Sequence, residues 1–277
     1  MEKAFAVIGG DSRMRYLAQY LRRIGRTVDV FAVDGLPDSC ADLKETLHRA
    51  KVVILPMPAI KDGTIRNLQG ASIDPSEIAD YLRSDAQVFG GKLGSSFAPR
   101  CAVKDYSEWE PLCRMNAVLT AEGAIQLAME QTERALFGSR CLVIGAGRIG
   151  MQLAKKLSAL GADVTVSARK EADYAQIRAE HLTADVTGSY GLGLAQYDCI
   201  FNTVPAKILT VEQIEHTKPD CVLIELASAP GGFSQEDCRL LGRKYVSGGG
   251  LPGIVAPKTA GIWIADAILA DLRQEVQ

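Results

Sequence analysis

The chain has 277 residues, 47% of them hydrophobic and 23% charged, with a net charge of −2; this is globular composition, enough for one or two domains with cores of their own. The near-neutral balance gives no basic field for nucleic acid, and no run of 18 apolar residues is available to cross a membrane. Seven Cys without a CxxC pair, and three His (His48, His181, His216) without an HxxxH spacing, offer neither a metal-ligand set nor a redox dithiol, so no metal is expected.

Met1-Glu2-Lys3 precedes a short apolar run, Ala4 to Ile8, too brief for a secretory leader, and a cytoplasmic, reducing setting is expected. That run ends in Gly9-Gly10 and predicts a buried strand entering a turn. Met14, Leu17, Leu21 and Ile24 follow at helical spacing, with Gly25 as the residue that ends the helix. Further strands are predicted at Thr27–Val33, at Val52–Leu55, stopped by Pro56 and Pro58, and at Gln87–Phe89, closed by Gly90-Gly91. This alternation points to a parallel sheet covered by helices. A helix from Thr120, taken as its N-cap, carries Ile125, Ala128, Met129 and Leu136 on one face.

The second half repeats the alternation: Cys141–Ile144, a helix over Met151–Leu160 ended by Gly161, then strands at Asp163–Ser167, Ile200–Val204 and Val222–Leu226. Cys141, Cys199 and Cys221 sit in such runs and are read as small core residues. A final helix begins at Pro257, a favoured first helical residue. The fold class is therefore α/β, with two Rossmann-like domains on parallel sheets. The expected division is 1–119 as a substrate domain, 120–137 as a connecting helix, 138–256 as the dinucleotide domain, and 257–277 as a helix returning to the first domain, a common habit of this layout.

Gly145-Ala146-Gly147-Arg148-Ile149-Gly150 lies between a strand and a helix, with a second strand about fifteen residues on, the context a dinucleotide fingerprint requires. Gly145 allows the tight turn, Gly147 lets the backbone approach a pyrophosphate, and Gly150 lets helix and strand pack. The helix N-terminus then presents N–H groups to the phosphates, with Arg148 as an added charge and Ile149 within the turn. Where NAD sites carry Asp or Glu after the second strand, this chain has Ser167-Ala168-Arg169-Lys170. Arg169 forking onto a 2′-phosphate, with Ser167 donating and Lys170 beside them, predicts NADP(H). Asn202-Thr203-Val204-Pro205 and Ala227-Ser228-Ala229-Pro230-Gly231-Gly232 follow strands, where ligands bind in open sheets; Thr203, Val204, Pro205, Ala227 and Ser228 are candidate cofactor contacts.

In the first half, Gly9-Gly10-Asp11-Ser12-Arg13 lacks the third glycine of a nucleotide loop and is not read as a second dinucleotide site; Arg13 there suits an anionic substrate. Lys258 opens the last helix, where the dipole disfavours a cation, a local conflict that hints at a task. If that helix returns to the first domain, Arg13 and Lys258 are expected to clamp an anionic substrate, a small dicarboxylate if the resemblance given below holds, from one side of a cleft, after a Gly-rich loop read as flexible.

Taken in order, Val7-Ile8-Gly9-Gly10-Asp11-Ser12-Arg13, Thr120-Ala121-Glu122-Gly123, the fingerprint through Met151, Asn202–Pro205, Leu226–Gly232 and Gly250-Leu251-Pro252-Gly253-Ile254-Val255-Ala256-Pro257-Lys258-Thr259-Ala260-Gly261 resemble the family of dipicolinate synthase A subunits. The last run is the most specific of these, and Asp34–Arg49 has no counterpart. The resemblance implies an oxidoreductase that aromatises a dihydrodipicolinate-type ring of the lysine pathway to pyridine-2,6-dicarboxylate. It also implies a nicotinamide cofactor, a flavoprotein-like B subunit of dipicolinate synthase as partner, and the mother cell of a sporulating bacterium. Ser12, Arg13, Thr120, Lys258 and Thr259 are then the candidate substrate contacts; Glu122 is the first candidate general base and Lys258 the second. A homo-oligomer is expected. Another NADP-dependent dehydrogenase, of the 2-hydroxyacid or shikimate type, and a non-catalytic NADP(H) sensor remain alternatives. The scarcity of His weighs against the 2-hydroxyacid type, and a sensor would not need Arg13 or Lys258.

Overall fold

The computed structural model describes residues 4–39, 42–94, 97 and 99–274; Cys40 lies outside them. The chain forms two compact units, Met1–Met115 with Ala256–Gln277, and Asn116–Val255.

The first unit opens with β1 (Phe5–Ile8), α1 (Ser12–Arg23), β2 (Val28–Phe31), α2 (Leu43–Arg49) and β3 (Val52–Ile54). A small hairpin of β4 (Ile60–Lys61) and β5 (Thr64–Ile65) comes next, then α3 (Pro75–Tyr81), β6 (Gln87–Gly90) and β7 (Ala102–Asp105). The five longer strands pair in parallel in the order β2-β1-β3-β6-β7. The inner strands read FAVI, VVI and QVFG, near-continuous apolar runs, because helices cover both faces of a parallel sheet.

α4 (Glu110–Gln131) carries the chain from one unit to the other. It begins ten residues before the expected N-cap, with Glu110 and Pro111 in a first turn that suits both. Thr120 is therefore buried in mid-helix, its hydroxyl donating to the Asn116 carbonyl one turn back, and is not a cap. The helix also ends at Gln131, and Met129, expected on the core face, is 63% exposed.

The second unit continues with β8 (Arg140–Ile144), α5 (Arg148–Ala159), β9 (Asp163–Ala168), α6 (Glu171–Ala179), β10 (Thr183–Val186), β11 (Cys199–Asn202), α7 (Val211–Glu215), β12 (Val222–Glu225), α8 (Gln235–Leu240), β13 (Lys244–Ser247) and α9 (Leu251–Val255). Its six strands are all parallel, in the order β10-β9-β8-β11-β12-β13. This is the doubly wound dinucleotide-binding order, with its reversal between β8 and β11. Cys141, Cys199 and Cys221 are fully buried in this sheet's core. The glycine run before α9 is an ordered turn: the Gly248 N–H donates to the Glu225 carbonyl at 2.7 Å, and buried Leu251 anchors the start of α9. Leu251 sits against Gly123 of α4, where a Cβ would come within 2.9 Å of the Leu251 Cβ.

α10 (Pro257–Gln274) completes the first unit. Ile264, Ala265, Ile268 and Leu269 join Met14, Leu17, Ala18 and Leu21 of α1 in one core. The two helices meet almost backbone to backbone at Gly261, whose Cβ position lies 3.0 Å from the Leu17 nitrogen and closer still to the Arg13 carbonyl oxygen.

Candidate functional site

At the turn from β8 to α5 each glycine has a distinct steric reason. Gly145 has a φ of 101°, and a Cβ there would lie 2.5 Å from the Thr203 Oγ1. A Cβ on Gly150 would be driven into the Gly145 carbonyl, with its carbon at 3.0 Å and the oxygen nearer. Gly147 is different: nothing lies within 4 Å of its Cβ position, and as the N-cap of α5 it offers no side-chain acceptor to the helix. The helix start thus leaves room beside Gly147, with the positive end of the helix dipole behind it, a cradle that fits a pyrophosphate.

The corresponding turn of the first unit is closed. Asp11 caps α1, accepting from the Arg13 N–H at 3.1 Å. The Gly10 N–H donates to the Arg66 carbonyl at 2.7 Å, and Gly9 makes room for that same carbonyl. The first pair of glycines therefore admits a neighbouring stretch of chain, whereas the second set leaves a gap.

At the end of β9, Ser167 is fully buried, its hydroxyl 2.6 Å from the Tyr190 hydroxyl and accepting from Thr187 Oγ1 at 3.2 Å. Its polar atom is consumed inside the unit, so the expected donation to a 2′-phosphate is not available. Burial also pushes the Tyr190 phenol above its ordinary range. Arg169 and Lys170 stand exposed beside it, and among the described residues neither side chain is held by a protein hydrogen bond or ion pair. The next residue, Glu171, starts α6. Arg148 is exposed in the first turn of α5, and Ile149 is packed against the core.

Asn202 and Glu225 end β11 and β12 in register, both buried. The Asn202 amide donates to Glu225 at 2.7 Å and to the Val204 carbonyl at 2.8 Å, while its oxygen accepts from the Val204 N–H at 3.1 Å. Glu225 accepts from the Ala227 N–H at 2.9 Å and, through its other oxygen, from the Gly232 N–H at 2.6 Å. The Thr203 hydroxyl donates to the Ile144 carbonyl at 2.9 Å, tying this edge to β8. Pro205 and Ser228 remain exposed at the loop tips, and Ala227 is half-buried. Sequence reasoning names these loops but not Glu225; its one signal is a carboxylate inside the apolar run Val222–Leu226.

The expected catalytic and substrate groups fare differently. Glu122 is exposed and paired with Lys156 at 2.9 Å. Lys156 lies eight residues along α5 from Arg148, about 12 Å from the phosphate-binding end, so Glu122 is drawn away from the cradle. Arg13 is buried, with Nε and Nη2 on the two oxygens of Asp11 at 2.9 and 2.8 Å and Nη2 also on the Met57 carbonyl at 2.6 Å. Burial opposes both charges, but their mutual hydrogen bonds outweigh it, holding the Asp11 carboxyl below and the Arg13 guanidinium above their ordinary ranges. The fork expected to grip substrate is thus occupied by Asp11. Ser12 donates to Asp34 at 3.1 Å. Lys258 is exposed in the first turn of α10 and, with Tyr16, Gln19, Tyr20, Arg23 and Ile262, lines a recess of about 210 Å³ that excludes Arg13. Thr259 is its half-buried neighbour. Among the described residues there is no cluster of His, Cys, Asp and Glu fit for a metal, and no helix long and apolar enough to cross a membrane.

Two parallel-sheet units, one of them in doubly wound order with an open glycine turn, define a two-domain Rossmann-like protein of the dehydrogenase class. Residues 111–232 match the D-isomer specific 2-hydroxyacid dehydrogenase NAD binding domain, which marks a nicotinamide dinucleotide as the cofactor and the chain as an oxidoreductase. Residues 4–107 match the N-terminal domain of the dipicolinate synthase A subunit. The chain belongs to the family of dipicolinate synthase A subunits. It is 37% identical to the dipicolinate synthase A subunit of Bacillus subtilis (strain 168), over 98% of this chain and 96% of that one. The crystal structure of the A subunit from Bacillus halodurans superposes with a TM-score of 0.87 at 27% identity, covering 98% and 97% of the two chains. The crystal structure of the Bacillus subtilis protein gives 0.86 at 28% identity over 99% and 98%. A transhydrogenase from Sinorhizobium meliloti, 17% identical with a TM-score of 0.70 over 98% and 94%, shares the fold. Membership of a family of A subunits implies a partner subunit.

Proposed function

We propose that this chain is an NADP(H)-dependent dehydrogenase that oxidises a dihydrodipicolinate-type intermediate of the lysine pathway to pyridine-2,6-dicarboxylate. It would act with a flavoprotein-like B subunit in the mother cell of a sporulating bacterium. Kinship with the dipicolinate synthase A subunit supports the reaction. One observation carries the cofactor preference: the Arg169 and Lys170 side chains, just past the end of β9, have no protein partner among the described residues, and no carboxylate stands where a ribose 2′-hydroxyl would be held. Loss of Ser167 as a donor leaves that preference to the two cations.

Aromatisation removes a hydride and one proton from the ring; if the ring still carries a hydroxyl, water leaves first. The bound nicotinamide supplies the two-electron acceptor. Aromatic stabilisation drives the change, so the tasks left to the chain are to hold the pyrophosphate on α5, orient the ring and hold its carboxylates. Lys258, whose ammonium meets no protein acceptor among the described residues, and Thr259 are the remaining candidates for a carboxylate contact. A 2-hydroxyacid dehydrogenase reading draws on the match over residues 111–232. Against it, His48 lies in α2, His181 precedes β10 and His216 ends α7, so none stands at the carboxyl end of a strand.

The test is to mix the chain, with and without its partner subunit, with NADP⁺ or NAD⁺ and the cyclic dihydrodipicolinate-pathway intermediate, and to follow pyridine dicarboxylate and reduced cofactor. Stoichiometric formation of both with NADP⁺ supports the proposal. Nucleotide binding without turnover under any combination favours a sensor. Turnover of 2-hydroxyacids instead of the ring favours the other dehydrogenase class.

A further inference from the structure

Glu225 is a carboxylate 6% exposed, and no Lys or Arg among the described residues pairs with it. A buried charge without a counter-charge is expensive, and proteins keep one where it is solvated by donors and has a use. The donors are evident: the Asn202 amide and the Ala227 and Gly232 N–H groups converge on its two oxygens. Through them the one carboxylate holds both loops that leave the carboxyl ends of β11 and β12. The fit is close, since a Cβ on Gly232 would lie 2.5 Å from Asn202 Nδ2, and one on Gly231, with a φ of 78°, 2.9 Å from Glu225 Oε2. Both oxygens accept, and a carboxamide in their place would set a donor against one of these donors, so the geometry itself calls for a carboxylate.

The sheet order gives that negative charge a further consequence. With the reversal between β8 and β11, a dinucleotide lies across the carboxyl edge with one mononucleotide half on each side of the switch point. Exposed Arg169 and Lys170 at the end of β9 mark the adenosine side, which leaves β11 and β12 for the nicotinamide. The two redox forms of that ring differ by one positive charge.

We propose that the buried Glu225 carboxylate is a positioning residue that fixes the Asn202–Pro205 and Ala227–Gly232 loops and, by its charge, favours the oxidised pyridinium over the reduced ring. This rests on the dinucleotide reading of the second unit and adds to it a bias in the redox direction, toward holding the electron acceptor. In a site of intermediate effective dielectric one such charge alters the relative affinity of the two forms by about tenfold.

The experiment is calorimetric titration of the purified chain with NADP⁺ and NADPH, in wild type, Glu225→Gln and Gly232→Ala. Glu225→Gln keeps the size, loses the charge and sets an amide donor against one of the loop N–H groups, so some loss common to both forms is expected. It should weaken NADP⁺ against NADPH by about tenfold, beyond any loss common to both. Gly232→Ala disturbs the loop and leaves the charge, and should weaken both forms together. The wild-type chain should also bind the pyridinium dinucleotide about tenfold more tightly than its neutral benzamide isostere, a comparison that needs no variant to fold. An unchanged affinity ratio in a folded Glu225→Gln protein, or equal binding of the pyridinium and benzamide dinucleotides, overturns the proposal. Failure of the wild type to bind any of these nucleotides would instead remove the dinucleotide reading on which it stands.

Discussion

The glycines of the β8–α5 turn separate folding from binding, and two alanine variants make the separation measurable. In Gly150→Ala the new methyl would lie 3.0 Å from the Gly145 carbonyl carbon, with the oxygen closer. Carbon atoms pack best at about 3.5–4.0 Å, so α5 and the turn must part by at least about half an ångström, against backbone that cannot swing aside. Overpacking of this kind costs about 1–3 kcal/mol, which for a unit of this size lowers Tm by roughly 3–12 °C. The first-turn N–H groups move with the helix, so NADPH affinity falls as well. Gly147→Ala is the counterpart. Its φ of −76° suits any L-residue, and its Cβ position has no neighbour within 4 Å. Stability should stay within about 1 kcal/mol of wild type, since a less flexible unfolded chain offsets the poorer N-cap that Ala makes. Yet the methyl fills the space a pyrophosphate must enter, so affinity should fall tenfold or more. Differential scanning fluorimetry without ligand, paired with calorimetric titration of NADPH, reads both quantities. If Gly147→Ala bound NADPH like wild type, or Gly150→Ala melted and bound like wild type, the roles assigned to these residues would be refuted.

Arg169→Ala should weaken NADPH by about tenfold or more, the loss of a charge-assisted contact of roughly 1.5–3 kcal/mol, and leave NADH nearly unchanged; equal weakening of both in titrations would refute the 2′-phosphate assignment. Arg13→Ala should destabilise the protein by about 1–3 kcal/mol in urea unfolding, because half-buried Asp11 loses its bidentate partner and keeps only Arg66 at 3.8 Å; a change in substrate KM with wild-type stability would restore Arg13 as a ligand. Because Arg13 depresses the folded-state pKa of Asp11, the pair's contribution is present above the ordinary carboxylate pKa and fades as pH falls toward the depressed value; wild type and Arg13→Ala should therefore converge in stability in acid. Glu122→Gln should keep both NADPH affinity and turnover, since its carboxylate pairs with Lys156 away from the cradle; a large fall in kcat would reinstate it as the base.

Legibility in the sequence tracks burial. β1, β3, β8, β11 and β12 lie inside their sheets and are apolar throughout or nearly so, and each is visible as a run. β7, β10 and β13 are edge strands with exposed residues such as Ala102, Thr183 and Lys244, so they carry no such run and escape the pattern. The start of α4 is obscured because Thr120 is a good cap in isolation, whereas the helix is already nucleated at Glu110-Pro111. The fingerprint is legible because its glycines answer local steric demands. The partners of Arg13, Ser167 and Glu122 are not, because an ion pair with Asp11, a hydrogen bond to Tyr190 or a bridge to Lys156 depends on how elements pack. Glu225 is hidden for a related reason: its use depends on strand register with Asn202, which no single segment reveals.

The seat of α10 against α1 also bears on the order of assembly. A ribosome must build the whole intervening unit, Asn116–Val255, before the helix that covers Met14, Leu17 and Leu21 exists. The second unit is one continuous stretch and can fold as soon as it emerges, whereas the first begins earlier and finishes later. During translation the apolar face of α1 is therefore exposed for the time taken to make the whole second unit. This makes nascent β1–α1 a region for a chaperone to shield.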